Sequence, residues 1–388
     1  MALTNRSNSQ NETSRPRGTS ITAHFLHSLL ALAACALITA CGNSKPAGAD
    51  VLNIYGWTDY HDEVLIREFT HKTGIRVTYD MFDSSDAAEA KLLTGGSGYD
   101  IMTVSNPYLG RQVNIGLYQE LDRSQLPEWG NLDPTILSQI AIFDPGNRHA
   151  LPYVWGITGT IYSVDAVAAR MPDAPLDSLA MFFDPNVVSK FSDCGVSIFD
   201  LPFSVYQMVM AYLGRDPNQF TDDNLDAAQQ QLLRVRPYIR KFDTDNWSQT
   251  LLDGDVCVAM GWPGTLSRVL ADTPPAQIKG HFNAVMPKGS ELYFDDLAIL
   301  ADAPHKAAAY KYFRFLLDAH NAATHINRIR YAVANKAATP FIAPAILNNP
   351  GFYPPAEVVK TAHQQMTVPP EFQRKMTRYW TELKARRS

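Results

Sequence analysis

The chain has 388 residues and a formal net charge of −5 at pH 7, with 46% hydrophobic and 19% charged residues. That balance tells against a nucleic-acid binder, which needs basic patches to displace counterions, and suits a positively charged ligand better. The length suits two domains better than one core.

Residues 1–20 are polar and carry Arg6, Arg15 and Arg17 against Glu12 alone, and an apolar run occupies residues 25–40. The run is short for a membrane span and has the length of a signal-peptide core. It ends in Ile38-Thr39-Ala40-Cys41-Gly42, a pattern that resembles a bacterial lipobox with Cys41 as the lipidated residue. The alternative is an ordinary cleaved signal with a coincidental cysteine. Residues 1–40 are read as signal peptide and 41–50 as a loose polar tether. Losing three basic residues and one acidic residue moves the formal charge from −5 to about −7. Cys194 and Cys257 then remain, in a compartment where disulfides persist. They could be free, metal-binding or bonded; neither lies near a second Cys or His at metal spacing, so a bridge is expected and no metal.

From residue 51 the pattern alternates strand and helix. Val51-Leu52-Asn53-Ile54-Tyr55 reads as a buried strand ended by Gly56. A helix over 62–72 carries Val64, Leu65 and Phe69 at helical spacing, with Gly74 as its stop. A strand with Ile75, Val77 and Tyr79, a helix with Ala87, Ala90 and Leu93, and a strand over 100–104 follow. This order predicts a parallel α/β sheet, whose ligands bind beyond the carboxyl ends of the strands, where loops 57–61 and 105–108 fall. Residues 155–284 read as a second α/β unit, with strands at 196–199 and 256–260 and a helix over 206–213. Strands at 282–287 and 296–300 and a helix over 306–317 come next, while 215–230 reads as loop and helix start.

Motifs for nucleotide, metalloprotease or nucleophile-elbow chemistry do not occur: Gly95-Gly96-Ser97-Gly98 precedes a strand where a phosphate loop would follow one. Aromatic residues instead recur beside carboxylates or hydroxyls in Trp57-Thr58-Asp59-Tyr60, in Gly261-Trp262-Pro263-Gly264 and in Tyr293-Phe294-Asp295-Asp296, with Tyr331 further on. Aromatic faces attract a cation and cover its methylenes, and a carboxylate accepts charge-assisted hydrogen bonds from an amine. The competing reading makes each aromatic a core residue and Asp59 a helix cap.

Across nearly all of residues 51–385 the chain resembles the periplasmic putrescine-binding proteins of bacterial polyamine ABC importers. The resemblance runs through Ile54-Tyr55-Gly56-Trp57-Thr58-Asp59-Tyr60, Leu126-Pro127-Glu128-Trp129, Cys194-Gly195-Val196-Ser197, Gly254-Asp255-Val256-Cys257 and the stretch from Tyr331 to Pro340. It implies a type II periplasmic binding protein fold, two α/β lobes with mixed, mainly parallel sheets and flanking helices joined by a hinge. The lobes are expected at 51–154 with 285–320, and at 155–284 with 321–388. Trp57, Tyr60, Trp262, Tyr293 and Tyr331 would form an aromatic box, and Thr58, Asp59, Ser105 and Asp295 would meet the ammonium groups. Cys194 and Cys257 fall where the family has its disulfide.

Two positions depart from the family pattern. Phe203-Ser204 stands where putrescine binders carry an acid, and Thr265 stands where they carry an aspartate. Ser204 and Thr265 thus remove carboxylates from the expected pocket, and a longer polyamine, an acylated polyamine or a monoamine with a polar tail fits the lost charge at least as well as putrescine does. The expected protein is a monomeric, non-enzymatic carrier without cofactor that serves an inner-membrane ABC permease, and the lipobox reading of Cys41 adds a lipid anchor in the periplasm. The alternatives are a ligand-dependent amine sensor and, behind it, an amine-processing hydrolase.

Overall fold

The computed structural model describes residues 50–82 and 84–386; the expected signal peptide and the lipidation site Cys41 lie outside them. In chain order the strands are β1 (Val51–Trp57), β2 (Arg76–Phe82), β3 (Ile101–Ser105), β4 (Ala150–Ile157), β5 (Gly159–Ser163) and β6 (Val196–Ile198). Then come β7 (Ile239–Phe242), β8 (Val258–Gly261), β9 (Phe282–Val285), β10 (Glu291–Ile299), β11 (Ala332–Val333) and β12 (His363–Gln364). The opening strand-helix alternation is present. Asp62 caps the helix Glu63–Thr73 by accepting from the amides of Val64 and Leu65, and Gly74 closes it at φ 73°, a left-handed conformation that glycine adopts at no steric cost.

Two sheets result, the architecture of a two-lobed binding protein. The larger runs β11-β4-β10-β3-β1-β2 with β12 beside β10, and the smaller runs β7-β6-β8-β5-β9. Pairings are parallel around β1 and around β6, and antiparallel where β10 meets β3 and β4 and where β5 meets β8 and β9. The chain crosses from one sheet to the other at Thr158, between β4 and β5, and returns between β9 and β10. The crossings are tied together: the Thr158 amide donates to the Glu291 carbonyl (3.0 Å), and the Ser290 hydroxyl donates to the Thr158 carbonyl (2.7 Å).

Each sheet has its own apolar core. Phe69, Ile101 and Phe313 are fully buried against the larger sheet, and Trp247, Phe182 and Phe191 against the smaller. Phe372, Met376, Trp380 and Leu383 of the final helix Pro370–Ala385 join the smaller core, whereas β11 and β12 pair into the larger sheet. The segment 321–388, expected in the second lobe, thus contributes to both sheets.

Several elements differ from the sequence expectation. Residues 105–108 are not a loop: Pro107 sits in the first turn of the helix Asn106–Asn114, where a missing amide costs nothing. β10 starts five residues earlier than expected, so Tyr293 and Asp295 lie within a strand and not at its end. β4 shows no strand signature because Pro152 interrupts it. The strand tolerates Pro152 through a bulge, as Asp295 pairs with Val154 and Asp296 with Pro152, leaving Tyr153 the extra residue.

Cys194 and Cys257 form the expected disulfide, with 63 residues of separation and Cα atoms 5.5 Å apart. Closing such a loop constrains the unfolded chain by about 4 kcal/mol in the chain-entropy account. Reduction is therefore expected to lower the melting temperature measured by calorimetry, and an unchanged value would show the bridge to be idle.

Asp62 supplies a second test. Burial pushes its carboxyl up, but the nearby His325 ring, 3.6 Å away, and hydrogen bonds from Arg328 and the Leu65 amide prevail and set it at about 2, below the ordinary 3.8. A depressed carboxylate contributes stability that is complete above pH 4 and is lost as pH falls toward 2, about 2 kcal/mol here. Asp62→Asn should flatten the acid limb of a denaturation profile between those values; an unaltered limb would assign acid unfolding to other groups.

Candidate ligand-binding site

The site is built on β10. Side chains alternate along a strand, so Glu291, Tyr293 and Asp295 share one face. Asp295 pairs with Ser105 at the end of β3 in the antiparallel register, which brings the Ser105 hydroxyl onto its Oδ1. The Tyr60 hydroxyl donates to Oδ2 at 2.5 Å. Burial pushes the Asp295 carboxyl above its usual range, while the hydrogen bonds from Ser105 and Tyr60 act against that rise. Among the described residues, no Lys, Arg or His lies within ion-pair distance of Asp295. Burial likewise holds the Tyr60, Tyr293 and Tyr331 hydroxyls well above the normal tyrosine value, so all three stay protonated.

Aromatic faces surround this carboxylate. Trp57 closes β1 and packs on Phe82, their centroids 4.4 Å apart. Tyr60 lies edge to face with Tyr331 at 5.3 Å. Trp262 opens the helix Pro263–Asp272, rests on Phe199 at 4.6 Å and packs against both cores. Two glycines make room: a Cβ on Gly156 would lie 2.3 Å from the Tyr293 oxygen, and one on Gly264 would lie 2.7 Å from the Tyr331 ring. Arg330, at φ 60°, turns the chain into Tyr331 while its guanidinium donates to the Ser267 carbonyl and hydroxyl.

Asp59 belongs to a separate network. It accepts from the Thr265 hydroxyl (2.7 Å) and the Tyr331 hydroxyl (2.8 Å), which are themselves 2.6 Å apart, and it is ion-paired with Arg268. Thr265 and Arg268 stand on the helix that follows β8, so this network joins the two sheets. Ser204, buried in the helix Pro202–Tyr212, accepts from the Gln365 amide at 2.7 Å and hydrogen-bonds with the Glu291 carboxyl. Thr58 is exposed, and no side-chain hydrogen bond joins it to the cluster among the described residues.

Of the residues expected at the site, Trp57, Tyr60, Ser105, Tyr293 and Asp295 gather at β10, and Asp59, Thr265 and Tyr331 gather at the junction. Trp262 bridges the cores and Ser204 lies beside Glu291. Three neighbours escape the motif reading. Arg268 follows Thr265 by three residues and so falls on the same helix face. Glu291 has the strand periodicity of Tyr293 and Asp295, and Gln365 has no local signal.

The two-sheet fold is that of a bilobal solute-binding protein. Residues 64–353 match the family model described as bacterial extracellular solute-binding protein, and the chain belongs to that family. The chain is 39% identical over 360 residues to the putrescine-binding periplasmic protein of Escherichia coli, covering 92% of this chain and 97% of that one. It is 37% identical over 363 residues to the Pseudomonas aeruginosa putrescine-binding periplasmic protein, covering 93% and 98%. A spermidine/putrescine ABC transporter substrate-binding protein from Streptococcus pneumoniae superposes with TM-score 0.74 at 25% identity, over 86% of this chain and 98% of that one.

The Asp59–Arg268 pair is a cross-sheet tie. Arg268→Gln should raise the radius of gyration of the ligand-free protein in small-angle scattering, because one ion pair holding the cleft is lost. An identical scattering curve would deny the pair that role.

Proposed function

We propose that this protein captures a polyamine between its two sheets in the periplasm and delivers it, unchanged, to an inner-membrane ABC permease. The observation that carries the reading is Asp295: a buried carboxylate with two hydroxyl donors, aromatic neighbours and, among the described residues, no cation at ion-pair distance. A buried carboxylate is expensive until a counter-ion arrives, and an ammonium group supplies one. Trp57, Tyr60 and Tyr293 suit the adjoining methylenes and add cation–π attraction. Trp262 and Thr265 would close the opposite wall, with Asp59 and Tyr331 at the junction and Thr58 at the rim. The names of the relatives, which are putrescine and spermidine binders of transport systems, support a carrier over an enzyme.

Lobe closure follows from contacts on both sides of the cleft: ligand binds the closed form better and shifts the population toward it. A lipidated Cys41 would keep the carrier, a monomer, at the membrane beside the permease. Among the described residues no helix is long and apolar enough to cross a membrane.

A thermal-shift panel of putrescine, cadaverine, spermidine, spermine and basic amino acids tests the reading, since a ligand specific for the folded state raises apparent stability. Asp295→Asn should weaken the best amine by about thirtyfold or more in calorimetric titration. A variant within about threefold of the parent would remove Asp295 from recognition. Mass spectrometry of the recovered amine should return it intact, and uptake of radiolabelled amine should fall in a deletion strain.

A further inference from the structure

Glu291 has no role in the scheme so far, yet it is a buried acid at the point where the two crossing segments are tied together. Its side chain is 6% exposed. It lies on the same face of β10 as Tyr293 and Asp295, two and four residues away. Its hydrogen-bond partner is the Ser204 hydroxyl, which Gln365 holds in place from the other side. Among the described residues, no Lys, Arg or His pairs with it. β10 therefore presents two uncompensated carboxylates with an aromatic ring between them.

We infer that Glu291 is the counter-ion of a second ammonium group, so that the site takes a polyamine stretched along β10 over Tyr293 and discriminates against amines with a single charged end. This rests on the polyamine reading of the site and specifies it. Four residues of strand separate the two acids by about 13 Å between Cα atoms. With covalent bonds of about 1.5 Å, the nitrogens of a four-carbon diamine are only about 6 Å apart. A triamine reaches both carboxylates with less side-chain displacement than the diamine does. Asp59 is no substitute for Glu291, because Arg268 already neutralises it.

Protonation gives an independent readout. Burial first, and then the neighbouring Asp295 charge, push the Glu291 carboxyl up to about 7, against the lowering effect of Ser204. The titratable groups facing it are Asp295 and Tyr293 on its own strand and His363 on β12. Burial lowers His363 to about 4, so it is neutral near pH 7. Ser204 and Gln365 carry no charge. A cation beside Glu291 favours its ionised form, so binding at pH 7 expels a proton, and affinity rises as pH increases from 6 to 8.

The test compares spermidine with its two monoacetyl derivatives by titration calorimetry on the full protein and on Glu291→Gln. The parent should prefer spermidine by about tenfold or more over either derivative, and Glu291→Gln should shrink that preference to within about threefold. Titration of the parent in buffers of different ionisation heat should show proton release with spermidine and less with the derivatives, a readout that does not require the variant to fold. A preference that survives Glu291→Gln, or equal proton release for all three ligands, overturns the inference. A parent that binds none of these amines overturns the polyamine reading itself, and this inference with it.

Discussion

Everything at this site depends on the antiparallel seating of β10 between β3 and β4. The register with β3 sets Ser105 against Asp295. The bulge at Tyr153 absorbs Pro152 and separates Asp295 from Asp296, whose carboxyl is fully buried and pushed well above its normal range by burial. A one-residue slip would exchange these two acids and turn Tyr293 away from the cavity, because successive strand residues face opposite sides. The same strand begins at the crossing point, where Thr158 and Ser290 bond the two crossing segments together. The crossing point and the Tyr293–Asp295 face are thus consecutive parts of one segment.

Charge is distributed unequally across the cleft. Asp59 has a guanidinium and two hydroxyls, and its energetic role is to hold helix Pro263–Asp272 and Tyr331 against the β1 end. Among the described residues, Asp295 and Glu291 have hydroxyl partners and no cation at ion-pair distance, the arrangement expected of groups that lack a counter-ion. Thr265 and Ser204 do not merely vacate acidic positions. Thr265 joins the Asp59 network, and Ser204 bonds to Glu291 of β10.

Much was legible along the chain. The alternation of Val51 to Val104 predicts the first sheet, Gly74 marks a helix end, and the aromatic-acid clusters at Trp57 and Tyr293 fall around β10. These signals are local: they depend on periodicity, caps and residue type within one window. β4 was illegible because its proline is accommodated by a bulge that exists only when β10 is paired beside it. The helix at Asn106–Asn114 was hidden because Pro107 reads as a loop residue unless the turn before it is already placed.

The two-unit α/β plan, the cysteine pair and the recurrence of aromatic residues beside acids all follow from pattern and composition alone. Only the tertiary structure decided which acids are free. Asp59 and Arg268 are 209 residues apart and Glu291 and Ser204 are 87 apart, so no local window reports that one carboxylate is neutralised and the other is not. Whether a buried acid is a structural tie or a ligand counter-ion is a property of its neighbours in space, and chain folding alone assigns those.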